Sequence, residues 1–171
     1  LGELADSYDK LAELAISYNT LGDLARDRGD IAQAEQLYRD SLDIAQRLAN
    51  ANPTNTQLQR DLSISYNRLA DLARNRGDTE QAEQLYHQSL DITERLVATE
   101  PTNLQLQRDL AISYTRLAEL ARNRGDVAQA ANYLREGFRA AERAGINPQT
   151  LDPRQEGADG EHGGATRSDT P

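Results

Sequence analysis

The sequence predicts an all-α protein: a right-handed superhelical array, or α-solenoid, of three antiparallel helix hairpins with a 48-residue period. Three observations predict it. Tyr18, Tyr66 and Tyr114 are 48 residues apart, and so are Gly29, Gly77 and Gly125, and Asp30, Asp78 and Asp126. A fixed period of this length marks stacked repeats rather than one central core. Between these landmarks apolar residues fall in alternating steps of three and four, the spacing of one helical stripe. Each stripe then ends at a helix-breaking signal, Gly-Asp after the first helix of a unit and Asn-Pro or Glu-Pro after the second.

In chain order, Leu1, Leu4, Tyr8, Leu11, Leu14 or Ala15, Tyr18, Leu21 and Ala25 form one stripe, read as a single long helix to Arg28 despite Gly2 and Gly22. Gly29 closes it, because a residue without Cβ takes the left-handed conformation of a helix C-terminus. Asp30 with Gln33 reads as a capping box opening the next helix, as do Asp78 with Gln81 and Asp126 with Gln129. The second helix buries Ala34, Leu37, Tyr38, Leu42, Ile44 and Leu48, runs to about Ala49, and is stopped by Asn52-Pro53. Thr54 with Gln57 and Thr102 with Gln105 repeat the capping pattern after each proline. The following units pair helices over about 55–76 with 79–99, and 103–124 with 127–143. Units of about 1–52, 53–100 and 101–145 result, and residues 146–171, rich in Gly, Pro, Asp, Glu and Thr, read as a disordered polar tail.

Composition narrows the function. With 28 Asp and Glu against 19 Lys and Arg, the net charge of −9 has the wrong sign for a phosphate backbone, so neither nucleic acid nor an anionic membrane is an expected partner. No apolar run approaches the roughly 20 residues that span a bilayer, and no signal segment opens the chain. A cytoplasmic location is the default expectation. The chain has no Cys and no Met; it begins inside a periodic pattern, which reads as a piece of a longer protein. One lysine beside eighteen arginines, with abundant alanine, points to a GC-rich bacterial genome.

The order Tyr66, Leu69, Ala70, Gly77, Ala82, Tyr86, Leu90 resembles the signature of the tetratricopeptide repeat, with Gly22 supplying the family's small residue where Ala70 and Ala118 stand in the other units. The resemblance covers about Ile16 to Arg143. Two departures stand out: the repeat is 48 residues where the family's is 34, and Gln46, Glu94 and Glu142 replace the closing proline. The extra residues amount to about four helical turns, two per helix, which keeps the stripes in register. In this the chain is similar to the long-helix repeats of kinesin light chains and of bacterial signalling proteins. The resemblance implies a protein-binding scaffold without catalysis.

It also implies that one polar face of the first helices lines a concave groove. Three rows occupy that face: Asn19, Asn67 and Thr115; Asp23, Asp71 and Glu119; Arg26, Arg74 and Arg122. Acids beside arginines repeated along a groove could read an extended peptide or a helix of alternating charge. The bland alternative is that Asp71 and Arg74, three apart on one helix, pair with each other. The family's clamp for chaperone tails, built on Lys and Asn, is not matched.

Other features point to architecture. Arg28-Gly29-Asp30, Arg76-Gly77-Asp78 and Arg124-Gly125-Asp126 spell the integrin-binding tripeptide, but Gly is the helix terminator and Asp the next cap, with Arg expected to point outward. The tyrosines at helical spacing are core residues. His87 and His162 have no ligand spacing around them, and no nucleophile set or phosphate-cradling loop is present, so no enzyme activity, metal or cofactor is expected. Two further functions stay open. The chain could be a sensor or autoinhibitory segment of a larger signalling enzyme, or a self-associating structural module joined through the apolar ends of its array.

Overall fold

The structure, a computed structural model, describes residues 2–147, with side chains from Asp6 onward. The polar tail expected over 146–171 lies, past Asn147, outside the described residues. Six α-helices and no strand occur among the described residues: α1 Gly2–Asp27, α2 Ile31–Ala51, α3 Thr56–Asn75, α4 Thr79–Thr99, α5 Leu104–Asn123 and α6 Val127–Arg143. The helices α2 to α5 are 20 or 21 residues long, about 30 Å at the standard rise. Packing is most extensive within the pairs α1–α2, α3–α4 and α5–α6, and next between α2–α3 and α4–α5. Helices therefore pack chiefly on their neighbours in sequence, the one-dimensional order of a stacked array.

The Gly-Asp turns form as read. Gly29, Gly77 and Gly125 have φ of 81°, 83° and 83°, the left-handed region. The amide of the following Asp donates to a carbonyl of the last helical turn (Asp78 N to Ala73 O, 2.9 Å), and the Asp carboxylate caps the new helix (Gln81 N to Asp78 Oδ1, 3.1 Å). The second turn needs a correction. The caps of α3 and α5 are Asn55 and Asn103, not Thr54 and Thr102: Asn55 Oδ1 accepts from Leu58 N at 3.1 Å. The reason is spacing. The Asn55 amide must first close the turn after Pro53 on the Asn52 carbonyl (3.0 Å), which leaves Thr54 inside the turn. The helix α2 also runs two residues past Ala49, to Ala51.

Burial separates the two halves of the α1 stripe. Ala15 and Ala25 are buried, whereas Leu14 and Leu21 are half exposed. In α3 and α5 the corresponding leucines, Leu62, Leu69, Leu110 and Leu117, are buried because a preceding hairpin covers them. Gly22 marks the tightest approach: a Cβ there would lie 2.5 Å from Tyr38 Cε1, whereas the methyls of Ala70 and Ala118 are accommodated in the later units. Tyr38 and Tyr86 fill the space between paired helices and are fully buried except at the hydroxyl edge.

Candidate functional site

The acids of the central row sit one turn from the C-terminal ends of α1, α3 and α5, where the adjacent buried alanines hold the backbone close to the paired helix. Asp23 accepts a hydrogen bond from the Tyr38 hydroxyl and Asp71 one from the Tyr86 hydroxyl, each at 2.5 Å. Burial, reinforced by these carboxylates, pushes both phenols well above the ordinary tyrosine range. Leu134 stands at the third position and has no hydroxyl to offer Glu119.

Each acid also holds an arginine from an adjacent unit, the next one for Asp23 and Asp71 and the preceding one for Glu119. Arg68 of α3 donates to Asp23 of α1, and Arg116 of α5 donates to Asp71 of α3 at 3.3 Å. Arg74 donates to Glu119 on α5 at 3.0 Å. The pairs within a helix are present but secondary: Arg26 to Asp23 at 3.3 Å and Arg74 to Asp71 at 3.7 Å. Neither a bare ligand-reading ladder nor simple pairs along one helix describes this row. It is first a set of bonds between successive hairpins.

The remaining candidates are placed unevenly. Asn67 is buried, Asn19 is partly buried with its Oδ1 lacking a hydrogen-bond partner, and Thr115 donates back to the Ala111 carbonyl at 2.9 Å. Arg26 is drawn to Asp27 as well as Asp23. Arg122 is exposed, with no side-chain partner among the described residues.

Arg68 and Arg116 are the residues that sequence reasoning missed. Their signal was legible: arginine recurs at 68 and 116, while the first unit has Thr20 at the equivalent position. Arg76 and Arg124 of the integrin-like tripeptides do not project freely either. Arg76 pairs with Glu35, and Arg124 with Glu83 at 2.5 Å, both bonds crossing from one hairpin to the preceding one.

Among the described residues no group of three acidic, His or Cys side chains is placed to hold a metal ion, and no helix is long and apolar enough to cross a membrane.

The paired helices agree with what the comparisons with known proteins show. The tetratricopeptide-repeat family model matches residues 14–54 and 63–100. Those two segments are tetratricopeptide repeats by this match. Among solved structures, BtubC (BKLC) from P. vanneervenii is similar, with a TM-score of 0.60 and 26% identity over 78% of this chain and 48% of that one. The chain thus spans about half the length of BtubC. The MamA protein aligns over 78% of this chain and 94% of its own with 12% identity, but the TM-score is only 0.21. No curated protein matches. Tetratricopeptide repeats generally mediate protein–protein interaction and are generally non-catalytic.

Proposed function

We propose that this array is a non-catalytic scaffold that presents the polar face of α1, α3 and α5 to a protein partner, an extended peptide or helix bearing carboxylates. The observation that carries the reading is the state of the arginine row. Asp23 and Asp71 are occupied by bonds between hairpins, which fix the spacing of the face, while Arg122 is exposed and Arg26 and Arg74 are only partly covered. Guanidinium groups held at fixed spacing on rigid helices suit carboxylates of a bound chain, through forked hydrogen bonds. Asn19 and Thr115 flank that row and would read polar groups of the same partner. Asn67, Asp71 and Asp23 serve by holding the surface in shape.

Affinity capture with the 171-residue chain and with Arg122→Glu tests this. Specific partners lost from the variant, with helical content unchanged, support the reading. An identical set of partners on both would remove this face as the binding surface.

A further inference from the structure

The seam between α1 and α3 lacks a group that the seam between α3 and α5 contains. In the α3–α5 seam an ion pair stands at either end. Arg60 Nε lies 2.5 Å from Asp109 Oδ2 and Nη2 lies 3.3 Å from Oδ1, while Arg116 reaches Asp71 at 3.3 Å. In the α1–α3 seam the second pair recurs as Arg68 with Asp23, but the first is halved. Asp61 is the repeat equivalent of Asp109, whereas Ala12 stands at the equivalent of Arg60. Both carboxylates are held by a glutamine one turn earlier on their own helix. Gln57 Nε2 donates to Asp61 Oδ1 at 2.7 Å, and Gln105 Nε2 to Asp109 Oδ1 at 3.2 Å. The halved seam is also the more open one. Asp109, Ile112 and Arg116 are 1%, 0% and 4% exposed, whereas Asp61 and Ile64 are only partly buried and the Arg68 side chain is 27% exposed. Among the described residues Asp61 forms no ion pair, since the neighbouring cation, Arg60, is committed to Asp109.

We propose that the α1–α3 seam is a socket for an arginine side chain of a protein partner, whose guanidinium takes on Asp61 the place that Arg60 takes on Asp109. The ligand chemistry is read from the chain's own repeat. One unit later the same carboxylate, held by the same glutamine, accepts a forked guanidinium. Ala12 and Ile64, both apolar and partly buried, would carry the aliphatic stem of the incoming side chain. Burial pushes the Asp61 carboxyl above its ordinary value, as befits a carboxylate without its cation. Each ion pair of a seam comes from that seam's own two helices, so the occupant here is not set by whatever adjoins the outer side of α1. The socket has the opposite charge to the arginine row, and it stands whether or not that row binds carboxylates.

Titration of the isotope-labelled 171-residue chain with N-acetyl-arginine amide at neutral pH, followed by NMR, is the direct test. Saturable shifts of the backbone amides around Ala12 and Asp61 are expected, with a Kd of about 1–10 mM for a single fork. Asp61→Asn should abolish them by removing the charge, and Ala12→Arg by filling the socket from within. The two variants act by opposite routes, so if one fails to fold the other still decides. N-acetyl-lysine amide should bind at least about threefold more weakly, because an ammonium cannot span both oxygens. Free arginine should bind no tighter than the capped form. Tighter binding would assign the site to a free metabolite and overturn the partner reading. No saturable shift up to about 50 mM, equal binding of the lysine probe, or shifts that persist in Asp61→Asn or Ala12→Arg also overturns the proposal. Arg122→Glu should leave the titration unchanged, so failure of the arginine row and failure of this socket are read separately.

Discussion

The ion pair between Arg60 of α3 and Asp109 of α5 offers the sharpest test of how successive hairpins are held. Arg60 Nε lies 2.5 Å from Asp109 Oδ2, Nη2 lies 3.3 Å from Oδ1, and the side chains are 9% and 1% exposed. Replacing Arg60 with Leu keeps most of the volume and leaves a buried carboxylate with Gln105 Nε2, at 3.2 Å, as its remaining side-chain donor. Removing one partner of a buried pair costs about 3–5 kcal/mol, and the retained amide places the expected loss near the low end, about 3 kcal/mol. For a chain of this size that is a drop in Tm of about 6–12 °C. Because the pair ties the second hairpin to the third, urea unfolding should also broaden or divide into two transitions. Arg60→Leu with Asp109→Leu should recover most of the loss, since the cost lies in the orphaned charge. Arg139→Ala, which breaks the exposed 2.7 Å pair with Glu136, should cost less than about 0.5 kcal/mol. A loss below about 1 kcal/mol for Arg60→Leu, or a double variant no more stable than the single, refutes the reasoning.

Two further outcomes follow from the same pattern of bonds. Asp61 stands where Asp109 does, but its counterpart of Arg60 is Ala12, and burial pushes its carboxyl above the ordinary value despite Gln57 and Arg60. A raised native pKa means that Asp61 favours folding when protonated and that this contribution fades as pH rises through the native value, so at pH 7 the charge is a cost. Ala12→Arg should supply the missing guanidinium and raise the urea midpoint at pH 7, by about 1 kcal/mol, and raise it less once the carboxyl is protonated; an equal gain at both pH values would contradict this. Tyr38, Tyr86 and Tyr114 all have hydroxyls raised by burial and by a neighbouring carboxylate. Folding then binds more protons than the unfolded chain above about pH 10, so stability falls as pH rises there. Part of the tyrosinate absorbance should appear only together with loss of helical circular dichroism. Complete titration of all seven tyrosines with the helices intact would be the opposing result.

The hairpins were legible because their signals are local. Periodic apolar residues specify helices, glycine at a left-handed position ends them, and a carboxylate three residues before a free amide starts the next. The caps after the prolines were misplaced by one residue because Thr54 and Asn55 are both good caps, and only the turn hydrogen bond at Asn55 decides between them.

The sequence by itself determined the helices, their turns and which face of each is apolar, and it placed acids and arginines in rows. Which arginine meets which acid was decided only by the tertiary structure. The bonds from Asp23 to Arg68 and from Asp71 to Arg116 join residues 45 apart, on helices separated by a complete partner helix, and they form because stacking of the hairpins brings α1 beside α3 and α3 beside α5. Helical periodicity carries no information about that distance. It also could not show that Leu21 and Leu24 stay exposed, since the same stripe is buried wherever another hairpin precedes it.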